Sequence, residues 1–131
     1  MFLTDPRQID SMFNDMLDRS RPSSCLNIDM NDYRTIMNQS VSFKAFKVGT
    51  HEISEEFVIR IRERLEQAGN ENAYAVLLYI CINESKFTMT DLELITEPFR
   101  NFCQNTDLIW GIRCVDNEES FGILTIIGYR Q

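Results

Sequence analysis

Apolar residues in the first twenty positions recur at Ile9, Met12, Phe13, Met16 and Leu17, the i, i+3, i+4, i+7, i+8 spacing of one helix face, with Thr4 or Asp5 as cap and Pro6 in the first turn. A polar break, "RSRPSS", leads to a second, shorter helix from near Met30, with Tyr33, Ile36 and Met37 as its apolar side. "SVSFKAFKV" then alternates at Val41, Phe43 and Ala45 before changing phase at Phe46 and Val48. That reads as a strand with a bulge, or as one whose far end is covered on its other face. In "ISEEFVIRIRERLEQAG", Ser54 caps, acids fill the first turn, Phe57, Val58, Ile61 and Leu65 share a side, and Gly69 stops the helix. "AYAVLLYICI" is apolar throughout, the signature of a central strand buried on both faces. "TMTDLELITEPFRNFCQN" predicts a helix opened by a Thr90/Glu93 capping box and kinked at Pro98. "LIWGIRCV" and "FGILTIIGY" read as two strands around the short connection "DNEES".

The order ααβαβαββ predicts an α/β (α+β) fold in a single domain, 1–131. Its four-stranded mixed sheet has three parallel strands plus a C-terminal antiparallel hairpin strand, all covered by helices. Within it, 1–20 form the first helix, 23–39 a loop and following helix, and 40–131 a βαβαββ sheet unit.

Composition narrows the function. At 131 residues and 44% hydrophobic content the chain supports one core. With 13 Lys and Arg against 20 Asp and Glu, net −7, it is a poor match for nucleic acid or an anionic bilayer, so neither is expected as a partner. Cys25, Cys81, Cys103 and Cys114 form no CxxC pair and His51 is the only histidine, so no metal or other cofactor is expected. Free thiols in apolar patterns and the absence of a signal-like start or an apolar run of ~20 residues point to the cytoplasm.

The chemistry-bearing stretch is "LNIDMNDYRTIM", which sets Asn27, Asp29 and Asp32 at the start of the second helix. Acids there suit the exposed N–H groups and positive end of a helix, a purely structural role. Two carboxylates beside an amide on a rigid mount could equally orient a water molecule, and the two readings are compatible. His51 reads as a solvated turn residue and Trp110 as a packing residue. Arg60, Arg62 and Arg64 read as a helix face laced to Glu56, Glu63 and Glu66.

From about Ile9 onward the chain resembles the C-terminal, or activation, domain of FtsZ, the bacterial relative of tubulin that acts in cell division. "LNIDMNDYRTIM" is similar to the family's synergy loop, N-x-D-x-x-D, filled by Asn27, Asp29 and Asp32. "AYAVLLYICINES", "MTDLELITEPFRNF" and "LIWGIRCVDNEESFGILTIIGYR" follow the family's strand, helix and closing hairpin in order. The first helix resembles the end of the core helix joining the family's two domains. The glycine-rich G-G-G-T-G-[ST] phosphate loop has no counterpart among five isolated glycines, "PSSCL" replaces the usual Pro-Gly, and Met30 stands where an aromatic is common. The family's tail peptide, which recruits membrane anchors, is also without a counterpart.

In that family, GTP on one subunit is hydrolysed when the next subunit's synergy loop docks on it. The resemblance thus implies a domain standing alone without the GTP-binding half and not an enzyme by itself. Its partner would be an FtsZ-like GTPase or the GTP-binding domain of one, whose filament end it would cap or modulate. Asn27, Asp29 and Asp32 would supply catalytic groups in trans. A structural interaction domain that self-associates or complements a separate GTP-binding fragment through its first helix is the alternative. A metal-assisted hydrolase using the carboxylate pair is a third.

Overall fold

The computed structural model describes residues 2–18, 28, 30–83, 87–114 and 121–130. Its elements follow the expected order: α1 Pro6–Asp18, α2 Met30–Gln39, β1 Ser42–Thr50, α3 Glu55–Ala68, β2 Ala73–Ile82, α4 Met89–Phe102, β3 Asp107–Cys114 and β4 Phe121–Tyr129. Helices α1 and α2 cover one face of the sheet through Ile9, Phe13, Tyr33 and Ile36, while α3 and α4 cover the other through Phe57, Ile61, Ile95 and Phe99.

The strand order is β1-β4-β2-β3, with β2 and β3 parallel and β4 antiparallel to both β1 and β2. Three strands therefore share a direction and the last opposes them, as expected. The neighbours differ: β4 is not a hairpin partner of β3 but lies between β1 and β2, so β1 and β2 never touch. Six residues, 115–120, separate β3 from β4. Strand spacing of ~4.8 Å makes the step over β2 ~10 Å, well within the ~20 Å that six extended residues span. A short connection did not require a hairpin. Burial favours the observed order, because β4 carries Ile123, Leu124, Ile126 and Ile127 into both layers, whereas the more polar β1 and β3 take the edges.

Strand β1 pairs with β4 in unbroken register from Ser42↔Tyr129 to Thr50↔Phe121, so its change of phase is no bulge. Phe43 and Ala45 face the α1/α2 layer, Phe46 and Val48 the α3/α4 layer, and Lys47 is exposed.

Local signals set the helix ends. Asp5 caps α1, its carboxylate accepting from Arg7 N–H (2.9 Å) and its carbonyl from Ile9 N–H (3.0 Å). Ser54 caps α3 by accepting from Phe57 N–H at 3.4 Å, and Gly69, at φ 76°, ends it. Lys44 Nζ (2.7 Å) and the Tyr129 hydroxyl (3.2 Å) donate to the carbonyl of Ala68 at that end. Helix α4 starts two residues before the Thr90/Glu93 expectation: Thr88 Oγ1 accepts from Asp91 N–H and Asp91 Oδ2 from Thr88 N–H, a complete capping box. Both overlapping patterns satisfy the motif. The earlier one leaves Phe87 and Leu92 to flank the first turn, where both pack against the core.

Candidate functional site at the start of helix α2

Of the three synergy-type residues, Asn27 and Asp29 lie outside the described residues. Asp32 sits in the first turn of α2, exposed, with no hydrogen bond or ion pair among the described residues. Its carboxylate therefore faces solvent at the positive end of a helix.

The mount beneath it is built from α1 and the sheet. Ile28, next to Asp29 in the chain, is 7% exposed and packs in the same layer as Ile9, Phe13 and Ile36. Tyr33 follows Asp32 by about 100° around the helix, so when its ring is buried the acid is turned outward. That ring stacks on Phe13, centroids 4.0 Å apart and planes 9° from parallel, and its hydroxyl donates to Asp10 Oδ1 at 2.7 Å. Burial first, then the hydrogen bond and charge of Asp10, push the phenol's pKa above its ordinary value, so it stays a neutral donor. Further along α2, the Tyr74 hydroxyl of β2 donates to Gln39 Oε1, and Gly128 of β4 lets the helix lie close: an added Cβ would meet Ser40 Cβ at 3.0 Å and Ile36 Cγ2 at 3.1 Å.

The Asp10–Tyr33 pair was not read from the sequence, where Tyr33 counted only as apolar. Its members are 23 residues apart, and no local periodicity connects them.

Other candidates resolve as follows. His51 is exposed in a turn. Trp110, expected to be a packing residue, is 36% exposed, because β3 is an edge strand and its indole stands at the rim of the α4 layer. Arg60 and Arg62 form no ion pair with Glu56, Glu63 or Glu66; Arg60 instead donates to the Gly49 carbonyl at 3.0 Å and lies over the Phe57 ring. For Arg60 and Arg62 the expected lacing is absent, since solvent screens the exposed carboxylates of their neighbours. Among the described residues no three His, Cys, Asp or Glu side chains gather as a metal ligand set, and no helix is long and apolar enough to cross a membrane.

No known family's sequence pattern and no curated protein matches the chain. Solved structures do. The FtsZ W319Y mutant of M. jannaschii superposes with a TM-score of 0.61 at 15% identity, over 93% of this chain and 39% of that one. The empty FtsZ dimer of M. jannaschii gives 0.58 at 17% identity, over 81% and 32%. TubZ of Bacillus thuringiensis serovar israelensis, in GDP-form protofilaments, gives 0.55 at 11% identity, over 84% and 32%. The chain thus spans about a third of the length of the proteins it matches. Two face layers of helices on a four-stranded mixed sheet, shared over most of this chain, make its fold that of the FtsZ C-terminal domain.

Proposed function

We propose that this chain docks through the start of α2 on the nucleotide-exposed end of an FtsZ-like filament, where it caps or modulates growth and GTP hydrolysis in trans. The observation that carries the reading is the outward-facing Asp32 on a mount fixed by Phe13, Tyr33 and Asp10, within a fold shared with FtsZ and TubZ. Two of the matched structures are assemblies, a dimer and protofilaments. Head-to-tail filaments use two different complementary faces per subunit, so a subunit offering one of them joins an end and stops it. In this reading the chain is no enzyme alone. Asp32, with Asp29, orients water against a nucleotide held by the partner, and Asn27 steadies the contact.

Substoichiometric addition to a polymerising FtsZ-like GTPase, followed by light scattering and phosphate release, tests this. Filament mass should fall and release per polymer should change, with Asp32→Ala reducing the effect on release more than binding. No change in either signal sinks the proposal. For the complementing-fragment alternative, which would leave apolar side chains of α1 uncovered, Phe13 is 0% exposed and seated on this domain's own sheet, Met12 is partly exposed, and the side chains of Met16 and Leu17 lie outside what is described.

A further inference from the structure

A second surface lies on the opposite face of the sheet from α2, in the cleft between α3 and α4. Helix α3 leads into the start of β2, and α4 returns from its end to the start of the parallel strand β3, so the two helices lie side by side in the same direction. Between them, near the end of α3, is a hollow of about 440 Å³ lined by Arg62, Leu65 and Glu66 of one helix and Pro98, Asn101 and Phe102 of the other. Leu65 and Pro98 are buried and Phe102 is half-buried, which makes the floor apolar, while Arg62, Glu66 and Asn101 form an exposed polar rim.

The cleft continues toward the helix starts. Ile59 stands three residues before Arg62, and Leu94 four before Pro98, each on the same side of its helix one turn along. Both are large apolar side chains in contact with water, 42% and 37% exposed. Charge on these helix sides is uncompensated. Glu55, Glu66 and Glu97 share them with Arg62, three carboxylates against one guanidinium, and none of the four forms an ion pair among the described residues.

We propose that the α3/α4 cleft docks a basic amphipathic helix of a partner protein. A helix laid between two parallel neighbours sets its apolar ridge on Ile59, Leu94 and the floor of the hollow, while its Lys or Arg side chains reach Glu55, Glu66 and Glu97 at the rims. The lining residues recur at one-turn intervals, which an i, i+3, i+4 stripe matches and the two-residue period of an extended strand does not. An acidic segment is repelled by the three carboxylates and by the chain's net charge of −7. Asp32 lies on the other face of the sheet, so both surfaces can be engaged at once.

The probe is a capped peptide about four helical turns long, with Leu along one face and Lys elsewhere. A Glu-for-Lys version and a scrambled version of the same composition, whose Leu residues share no face, serve as comparisons. Methyl NMR of the intact chain locates binding, and fluorescence anisotropy of the labelled peptide measures it. The Lys peptide should shift the Ile59 and Leu94 methyl signals and lose affinity at high salt. The scrambled and Glu peptides should not shift them. Ile59→Ser with Leu94→Ser should weaken binding about tenfold or more, as for apolar anchors at the centre of an interface. Val41→Ser, 72% exposed but outside the cleft, should leave it unchanged. Glu66→Gln with Glu97→Gln should flatten the salt dependence. Circular dichroism confirms that each variant is folded. Absence of binding, equal binding of the scrambled or Glu peptide, shifts centred elsewhere, an equal loss with Val41→Ser, or insensitivity to either double substitution would each overturn the proposal.

Discussion

Gly128→Ala tests how α2, the mount of the candidate site, is seated. The added methyl would clash with Ser40 Oγ, which rotation of that side chain about its Cα–Cβ bond relieves. The contacts at 3.0 Å to Ser40 Cβ and 3.1 Å to Ile36 Cγ2 are not relieved that way, because both residues are fixed on α2 or at its end, and Ile36 is 1% exposed. Overpacking of this kind costs ~1–3 kcal/mol, against ~0.5–1 kcal/mol regained by replacing glycine within a strand. The net expectation is ~0–2.5 kcal/mol of destabilisation, about 1 kcal/mol at mid-range. A chain of 131 residues has an unfolding entropy of ~0.28 kcal/mol/K, so Tm should fall by about 4 °C at mid-range and by up to ~9 °C. Urea and thermal melts measure it, and the double variant with Ser40→Gly should recover part of the loss through a favourable coupling. If Gly128→Ala melts above the wild-type temperature, α2 does not lie against β4 as argued, and the geometry of the Asp32 mount fails with it.

Thr125 is 0% exposed and its hydroxyl has no partner among the described residues, so Thr125→Val, nearly isosteric, should be neutral or stabilising by up to ~1 kcal/mol in urea melts. Tyr33→Phe deletes the donor to a half-exposed pair with Asp10 and should cost about 1 kcal/mol, read in the same melts, with the far-UV spectrum unchanged. Burial, and secondarily Asp107, push the Cys103 thiol up to about 11, so it should alkylate slowly at pH 8 compared with a free model thiol. For the alkaline limb, Cys103 is raised to about 11 and Tyr129, by burial, to about 12. Their neutral forms are favoured in the folded state. The stability they contribute is complete below the ordinary values of 9.0 and 10.0 and is lost as pH rises through 11 and 12, so denaturant midpoints should decline above pH 9.

Much of the fold was legible because it is encoded locally. The uninterrupted apolar run of β2 required cover on both faces, and the structure gives it α2 on one side and α3/α4 on the other. Ser54, Gly69 and Pro6 marked helix ends through backbone chemistry that acts within one turn. Asp32 in the first turn of α2 was equally local, and its outward aim follows from burial of its neighbour Tyr33.

Contacts between distant segments were decided by the tertiary structure alone. Period-two alternation says that a strand pairs, never with which strand, so the insertion of β4 between β1 and β2 could not be read from 115–120 and instead follows from where the most apolar strands are best buried. The Tyr33–Asp10 bond, the close approach of Gly128 to Ser40, the rim position of Trp110 and the cleft between α3 and α4 likewise join residues that carry no mutual signal along the chain. Sequence fixes what each segment must hide from water; only packing in three dimensions determines which segment hides it.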